Sequence, residues 1–399
     1  MFHLKIPTAW WVLPVLIIVN TLQAQTLTLR QALDAALQHH PAAKSAALQV
    51  RQQRQLLPAA TALADPLLTV ESPTGNFYTL GVTQAFSMPV VYRRQKALQR
   101  ALISRSESAV GVTQQDIKLE TAQVYTEWQY QWTLVRQLEI QDSLLQNLAG
   151  AADRMFREGQ TDAVAAQYAR LQAATLRSQL RQARQGAATA RALLSTLTGI
   201  ATDLEPEPLN RQLLLQSPDV AVDTSIWQGN PALKTLQQEI LVAEREVAVT
   251  QSRGLPELTL GYINQGERNS PVGNRFNVGI SVPLWRKQYN AGAAAARTGV
   301  EIARETLSAQ SLEWNAAYRQ ALGEADKARL ALEEYEQNVL PAARAVSDAS
   351  RRLFEGGLTD WVSYLRNRND ALEVELGYWG LIRDLHLVSL NLQFLTGKL

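Results

Sequence analysis

The side chains that most often carry out nucleophilic or transition-metal chemistry are scarce in this chain: four histidines, three methionines and no cysteine. His3 stands near the start, His39 and His40 are adjacent, and His386 is alone. A helical metal pair needs ligands a turn apart. His39-His40 has no carboxylate at such a spacing upstream, and Pro41 ends that helix. The pair therefore reads as a polar helix end. There is no nucleophile elbow, no phosphate-cradling glycine loop and no zinc motif. Serines such as Ser281 fall in strand alternation and should face a lumen rather than a substrate. The lack of cysteine excludes a disulfide framework, a thiolate metal site, a catalytic thiol and a lipidated N-terminal cysteine. A net charge of +2 gives no basic footprint for nucleic acid. The chain reads as a non-enzymatic scaffold without a cofactor or a metal site.

What remains is architecture. Tyr78, Leu80, Val82, Gln84, Phe86 and Met88 alternate with Thr79, Gly81, Thr83, Ala85 and Ser87. Further on, Phe276, Val278, Ile280, Val282 and Leu284 alternate with Asn277, Gly279, Ser281 and Pro283. Shorter partners precede each, at Leu67–Glu71 and Leu258–Tyr262. A period of two puts large groups on one face and small or polar groups on the other. Over about ten residues that is the pattern of an outer-membrane strand, apolar outward and polar toward a lumen. A soluble hairpin half-buried on a core would show the same alternation. Aromatic residues near the strand ends (Trp285, Tyr92, Phe77, Tyr78) and polar turns (Ser72–Asn76, Gln265–Arg275) favour the membrane reading. Four strands cannot close a barrel, and an open edge is not tolerated in hydrocarbon. Membrane strands would therefore require several copies sharing one barrel: two give eight strands and a filled interior, three give twelve and room for a channel.

The rest reads as long helices in a duplicated half-domain. Phe156-Arg157-Glu158-Gly159-Gln160-Thr161-Asp162 returns 198 positions later as Phe354-Glu355-Gly356-Gly357-Leu358-Thr359-Asp360. Leu197-Thr198-Gly199 returns as Leu395-Thr396-Gly397, Leu57-Pro58 as Leu255-Pro256, and His40-Pro41 as Asn230-Pro231. That period is far above solenoid repeats. Between Val90 and Gly150 the apolar positions Ile117, Val124, Trp128, Val135, Leu138 and Leu145 form a heptad seam. In the second half Ala325, Leu332, Val339, Val346 and Leu353 recur every seven, with Ala328, Tyr335, Ala342 and Ala349 between them. A helix of about 55 to 60 residues would reach roughly 80 to 90 Å. Alanine-rich stretches (Ala187–Ala192, Ala291–Ala296) allow close helix approach, and Pro341 should bend or break the second seam. Residues 1–24 read as a secretory signal peptide, with Lys5, an apolar core from Trp10 to Val19 and Leu22-Gln23-Ala24 at its end. After it, no stretch is long and apolar enough for a transmembrane helix. Residues 25–201 are the first repeat, 202–225 a linker and 226–399 the second repeat.

The segment Asn338-Val339-Leu340-Pro341-Ala342-Ala343, followed by Arg351-Arg352-Leu353-Phe354-Glu355-Gly356-Gly357-Leu358-Thr359-Asp360, resembles the second long helix and tip of the TolC family of outer-membrane efflux proteins. Leu27-Thr28-Leu29 with Gln31-Ala32-Leu33, and Asn230-Pro231, resemble the openings of that family's two repeats. The resemblance covers essentially all of the mature chain. It implies a homotrimer with a twelve-stranded barrel in outer-membrane lipid and an α-helical barrel in the periplasm. Such a channel is the exit duct of a tripartite pump. Its partners are a periplasmic adaptor (a membrane fusion protein) and an inner-membrane transporter of the RND type. Compact size and a short linker resemble the CzcC-like and CusC-like heavy-metal branch; a type I protein-secretion channel and a pore-less periplasmic coiled-coil protein are the alternatives. The resemblance implies that Gly159, Gln160, Thr161, Gly357, Leu358 and Thr359 form an adaptor-facing rim. Aligned on Gly357, the acidic pair of well-known relatives is replaced by Ser363 and Arg366. An acidic cation filter does not carry over. Asp360, Ser363 and Arg366 are the candidate periplasmic gate, with Arg368 and Asp370 beside them.

Overall fold

The computed structural model describes residues 26–72, 75, 78–200, 204–210, 229–264 and 274–399. The expected signal peptide, most of the expected linker, most of both strand-connecting turns and Phe77 lie outside these residues. Strand β1 (Thr26–Leu27) leads into α1 (Leu29–His39) and α2 (Pro41–Gln55). The hairpin β2 (Leu67–Glu71) and β3 (Thr79–Ser87) runs into α3 (Pro89–Arg157), which turns back as α4 (Ala163–Thr198). A short β4 (Glu205–Pro206) and α5 (Pro231–Ser252) precede the second hairpin, β5 (Glu257–Asn264) and β6 (Asn274–Ser281). Helices α6 (Arg286–Glu334), α7 (Leu340–Glu355) and α8 (Trp361–Thr396) complete the chain.

The repeated sequence marks become matched joints. Thr28 caps α1 in a capping box: its hydroxyl accepts the Gln31 amide proton while the Gln31 side chain accepts that of Thr28. His40 and Asn230 cap α2 and α5, each followed by proline at the first helical position, and each accepts an amide proton two residues on. Gly199 ends α4 against the His39 ring, and Gly397 ends α8 against the Asn230 backbone. A side chain at Gly397 would meet that backbone within 3.0 Å, so the joint needs glycine.

One sheet has the order β2-β3-β5-β6, all antiparallel, with the two hairpins joined through β3 and β5. Helices α2 and α5 precede β2 and β5, β3 and β6 run on into α3 and α6, and these helices pack in the same order as the strands, α2 on α3, α3 on α5 and α5 on α6. At the far end α3 and α4 form one hairpin and α7 and α8 another. These close on a core of Leu138, Leu145, Ala169, Leu176, Leu365 and Leu372 among others. The α4 contribution is largely alanine, which lets the α3 and α4 backbones approach closely.

Two expectations need correction. The first long helix is 69 residues, longer than the expected span, and reaches about 100 Å at 1.5 Å per residue. The second seam is also displaced. Between α6 and α7 the helix passes through a π-helical turn, Tyr335–Val339, just before Pro341, where the Leu340 amide bonds the Tyr335 carbonyl. That turn holds one extra residue. It shifts the inward face from Val339, Val346 and Leu353 to Leu340, Ala343, Ser347, Ser350 and Phe354. Val346 and Leu353 are consequently 49% and 45% exposed. Pro341 does not break the helix; the wide turn absorbs its missing donor.

Candidate channel wall and helix tips

The register sorts the sheet into two unlike faces. Leu68 pairs with Val82, Val82 with Tyr262 and Tyr262 with Phe276; Val70, Leu80, Leu260, Val278, Leu258 and Ile280 share that face. Leu68, Val70, Leu80, Phe276, Val278 and Ile280 are all more than 60% exposed in the single chain. Left in water, each would forfeit about 1.5 kcal/mol or more. A contiguous apolar band of this kind needs lipid or a partner. Gln84 lies in the band and donates to the Ala64 and Ala85 carbonyls, which removes the cost of its amide group.

The opposite face carries Thr69, Gly81, Thr83, Ala85, Thr259, Gly261, Asn277, Gly279 and Ser281. Here glycine sits across from a polar side chain: Gly81 against Thr69, Gly261 against Asn277, Gly279 against Thr259. A Cβ at any of the three would collide with that neighbour. Crowding on one face and long side chains on the other are what a sheet curling toward its polar face requires. Tyr78 and Trp285 lie exposed near strand ends. The Tyr92 hydroxyl accepts the Ser87 amide proton where β3 passes into α3. Strands β2 and β6 are the sheet's edges, and neither has a second partner among the described residues. None of the described helices is long and apolar enough to cross a membrane.

At the opposite end the two tips are superimposable in their bonding. Gly159 (φ +73°) and Gly357 (φ +69°) adopt left-handed backbone. The amides of Gln160 and Leu358 reach back to the carbonyls of Met155 and Leu353, at 2.8 Å in both. That is a Schellman closure, which glycine alone makes without strain. Asp162 and Asp360 then cap α4 and α8, accepting amide protons from Ala165 and Ser363. Gln160 and Leu358 are exposed, while Thr161 and Thr359 are half-buried. Beneath the second tip Phe354 stacks on Tyr364 and meets Trp361 edge-on, which anchors α7 to α8.

The candidate gate residues fall in two places. Asp360 and Ser363 are joined at the cap, where the Ser363 hydroxyl also donates to the carboxylate at 2.6 Å. These bonds hold the Asp360 carboxyl below the usual carboxylate range. Arg366 is exposed on α8, and Arg368 turns away to donate to Gln141 of α3. Among the described residues no ion pair links Asp360, Arg366, Arg368 and Asp370 within the chain.

Sequence reasoning missed a clasp higher up. β1 pairs in parallel with β4, and buried Tyr125 of α3 donates to the Leu27 carbonyl at 2.6 Å and accepts the Glu207 amide proton. Burial pushes its phenol well up, so it stays protonated and donating. A two-residue strand pair leaves no periodicity to read. His386 is 7% exposed, with its Nε2 2.8 Å from the Asn210 carbonyl, and burial lowers its pKa. Among the described residues no three candidate ligands gather as a metal cluster.

Residues 224–398 match the family described as outer membrane efflux protein. The fold of the chain is that of the TolC-type channels. The solved structure of CusC superposes with a TM-score of 0.79 at 15% identity, covering 92% of this chain and 91% of that one. The CmeC outer membrane channel of Campylobacter jejuni superposes at 0.76 and 15% identity, covering 99% and 94%. In sequence, the chain is similar to the cobalt-zinc-cadmium resistance protein CzcC of Cupriavidus metallidurans, 23% identical over 254 residues. That alignment spans 63% of this chain and 60% of the relative, less than two thirds of its length. The match to that family and the outer-membrane channels of the same fold support a place in the outer membrane with the helical part in the periplasm.

Proposed function

We propose that three copies of this chain share one twelve-stranded barrel and act as the passive exit duct of a tripartite efflux pump. The observation that carries this reading is the four-stranded sheet: apolar outside, small and polar inside, with both edges open. Open edges in hydrocarbon cost several kcal/mol per unpaired group, so the edges of neighbouring copies must pair. Three copies give the smallest even count that leaves a channel rather than a filled interior. The two repeats, 25–201 and 226–399, then supply two tips per copy. In this reading Gly159, Gln160, Thr161, Gly357, Leu358 and Thr359 form the rim that meets a periplasmic adaptor, behind which stands an RND-type inner-membrane transporter. Asp360, Ser363 and Arg366 line the narrow periplasmic entrance.

The proposed cargo is heavy-metal cations. The similarity to a cobalt-zinc-cadmium resistance protein supports this. The duct itself needs no metal site, because a wide wet pore passes what its partner delivers. A deletion strain tested against cobalt, zinc, cadmium, copper, silver, detergents and unrelated drugs, with plasmid complementation, decides the cargo. Selective sensitivity to metals is the expected result; broad drug and detergent sensitivity would replace metal with multidrug cargo.

A further inference from the structure

Directly below the sheet, the groove between α3 and α5 gathers four cations. Arg93, Lys96 and Arg100 project from successive turns of α3, and Arg245 faces them from α5. With Ser104 and Leu241 they line a cleft of ≈ 490 Å³ that contains no acidic side chain. Glu246 follows Arg245 in sequence but lies outside the lining. None of the four cations takes part in a hydrogen bond or ion pair among the described residues.

The neighbouring grooves of the same helical layer are built differently. Between α2 and α3, Arg54 pairs with Glu107 at 2.6 Å, and between α5 and α6, Arg304 pairs with Glu244 at 3.0 Å. In the middle groove the charge is of one sign and is left unneutralised among the described residues. The strand and helix order also puts α3 and α5 at the centre of each copy, whereas other copies must join at β2 and β6. The second copy is therefore not the source of the missing anion.

We propose that Arg93, Lys96, Arg100 and Arg245 form an oxyanion-binding groove that takes phosphate groups at the periplasmic face of the membrane. Depth fits this chemistry. A single residue, Met88, separates β3 from α3, and Arg93, Lys96 and Arg100 lie about 6 to 17 Å below the first residue of that helix. The polar headgroup layer begins there, and long basic side chains reach back into it. Two sources supply the same chemistry, an anionic phospholipid headgroup or a soluble phosphate-type anion in the lumen. The inference needs the strands to lie in the membrane but is independent of the proposed cargo.

The test uses the full-length oligomer and the variant Arg93→Gln/Lys96→Gln/Arg100→Gln/Arg245→Gln. In the lipid arm, native mass spectrometry measures retained phosphatidylglycerol against phosphatidylethanolamine. In the soluble arm, single-channel current in neutral phosphatidylcholine bilayers is recorded with inorganic phosphate or chloride. Selective retention of phosphatidylglycerol, falling about fivefold per charge removed, assigns the groove to lipid. Block by phosphate that the variant relieves assigns it to a soluble anion. Equal behaviour of wild type and variant in both arms overturns the proposal. If the fourfold variant does not assemble, Lys96→Gln/Arg100→Gln is compared in the same two arms. Neither readout involves efflux, so failure here and failure of the duct reading are separable.

Discussion

At the scale of single residues, the two tip glycines carry a strict backbone requirement. Left-handed geometry costs a side-chain-bearing residue roughly 1–2 kcal/mol. Gly159→Val and Gly357→Val should therefore each loosen a tip by about that amount, and asparagine at the same positions by less. Hydrogen exchange at the amides of Gln160 and Leu358 reads this directly. Unchanged protection in the valine variants would contradict the closure. Docking is a separate matter: Gln160→Trp should leave that exchange unaltered while weakening adaptor capture, if the rim is where the adaptor binds. His386 makes a pH prediction. Burial lowers its folded pKa, so the unfolded chain takes up the proton first as pH falls. Its contribution to stability is present above the ordinary histidine value of 6.5 and is lost as pH drops through the lower folded value. Thermal melts at pH 7.5 and pH 5 should show a larger fall for wild type than for His386→Gln; an identical fall in both would remove His386 as a cause.

At the scale of elements, the π turn explains why one seam could be read from sequence and the other only in part. Ile117, Trp128, Leu138 and Leu145 are all buried as the first heptad pattern requires. The second pattern holds through Ala325 and Leu332 and then slips by one residue. Counting in sevens cannot see an inserted residue when alanine, valine and leucine occupy adjacent positions on both sides of the slip. The strands were legible because alternation survives without tertiary context. The β1–β4 clasp was not, since it depends on a pairing distant in sequence. The slip has a consequence. Deleting Gln337 removes the extra residue and leaves Leu332 and Leu340 one heptad apart, but Pro341 then faces an ordinary turn at a cost of about 3 kcal/mol. Deletion combined with Pro341→Ala should keep the tip packed, whereas deleting Ala349 should rotate Phe354 off Tyr364 and Trp361. Limited proteolysis of the α7–α8 hairpin distinguishes them, and equal resistance of all three deletions would mean that the seam register is unimportant.

At the scale of the whole molecule, the two faces of the sheet make opposite demands on substitution. Leu68→Lys puts a charge in hydrocarbon and should cost up to about 2–4 kcal/mol near the midplane. Thr83→Lys on the inner face should leave assembly intact and shift ion selectivity toward anions in planar bilayers. Gly261→Val should block assembly, because its side chain collides with Asn277 on the crowded face. The shared barrel itself can be tested with a clean background, since the chain has no cysteine. Introduced cysteines at Thr69 on one edge and at Asn277 or Ser281 on the other cannot meet within one copy, because β3 and β5 stand between them. Oxidation should then give covalent dimers and trimers in at least one register, and the ladder should stop at three. A ladder stopping at two would mean eight strands and a filled interior. That outcome leaves the wall in the membrane but removes the duct. No cross-link in any register would mean that the edges never pair, and four strands with open edges could not remain in lipid at all.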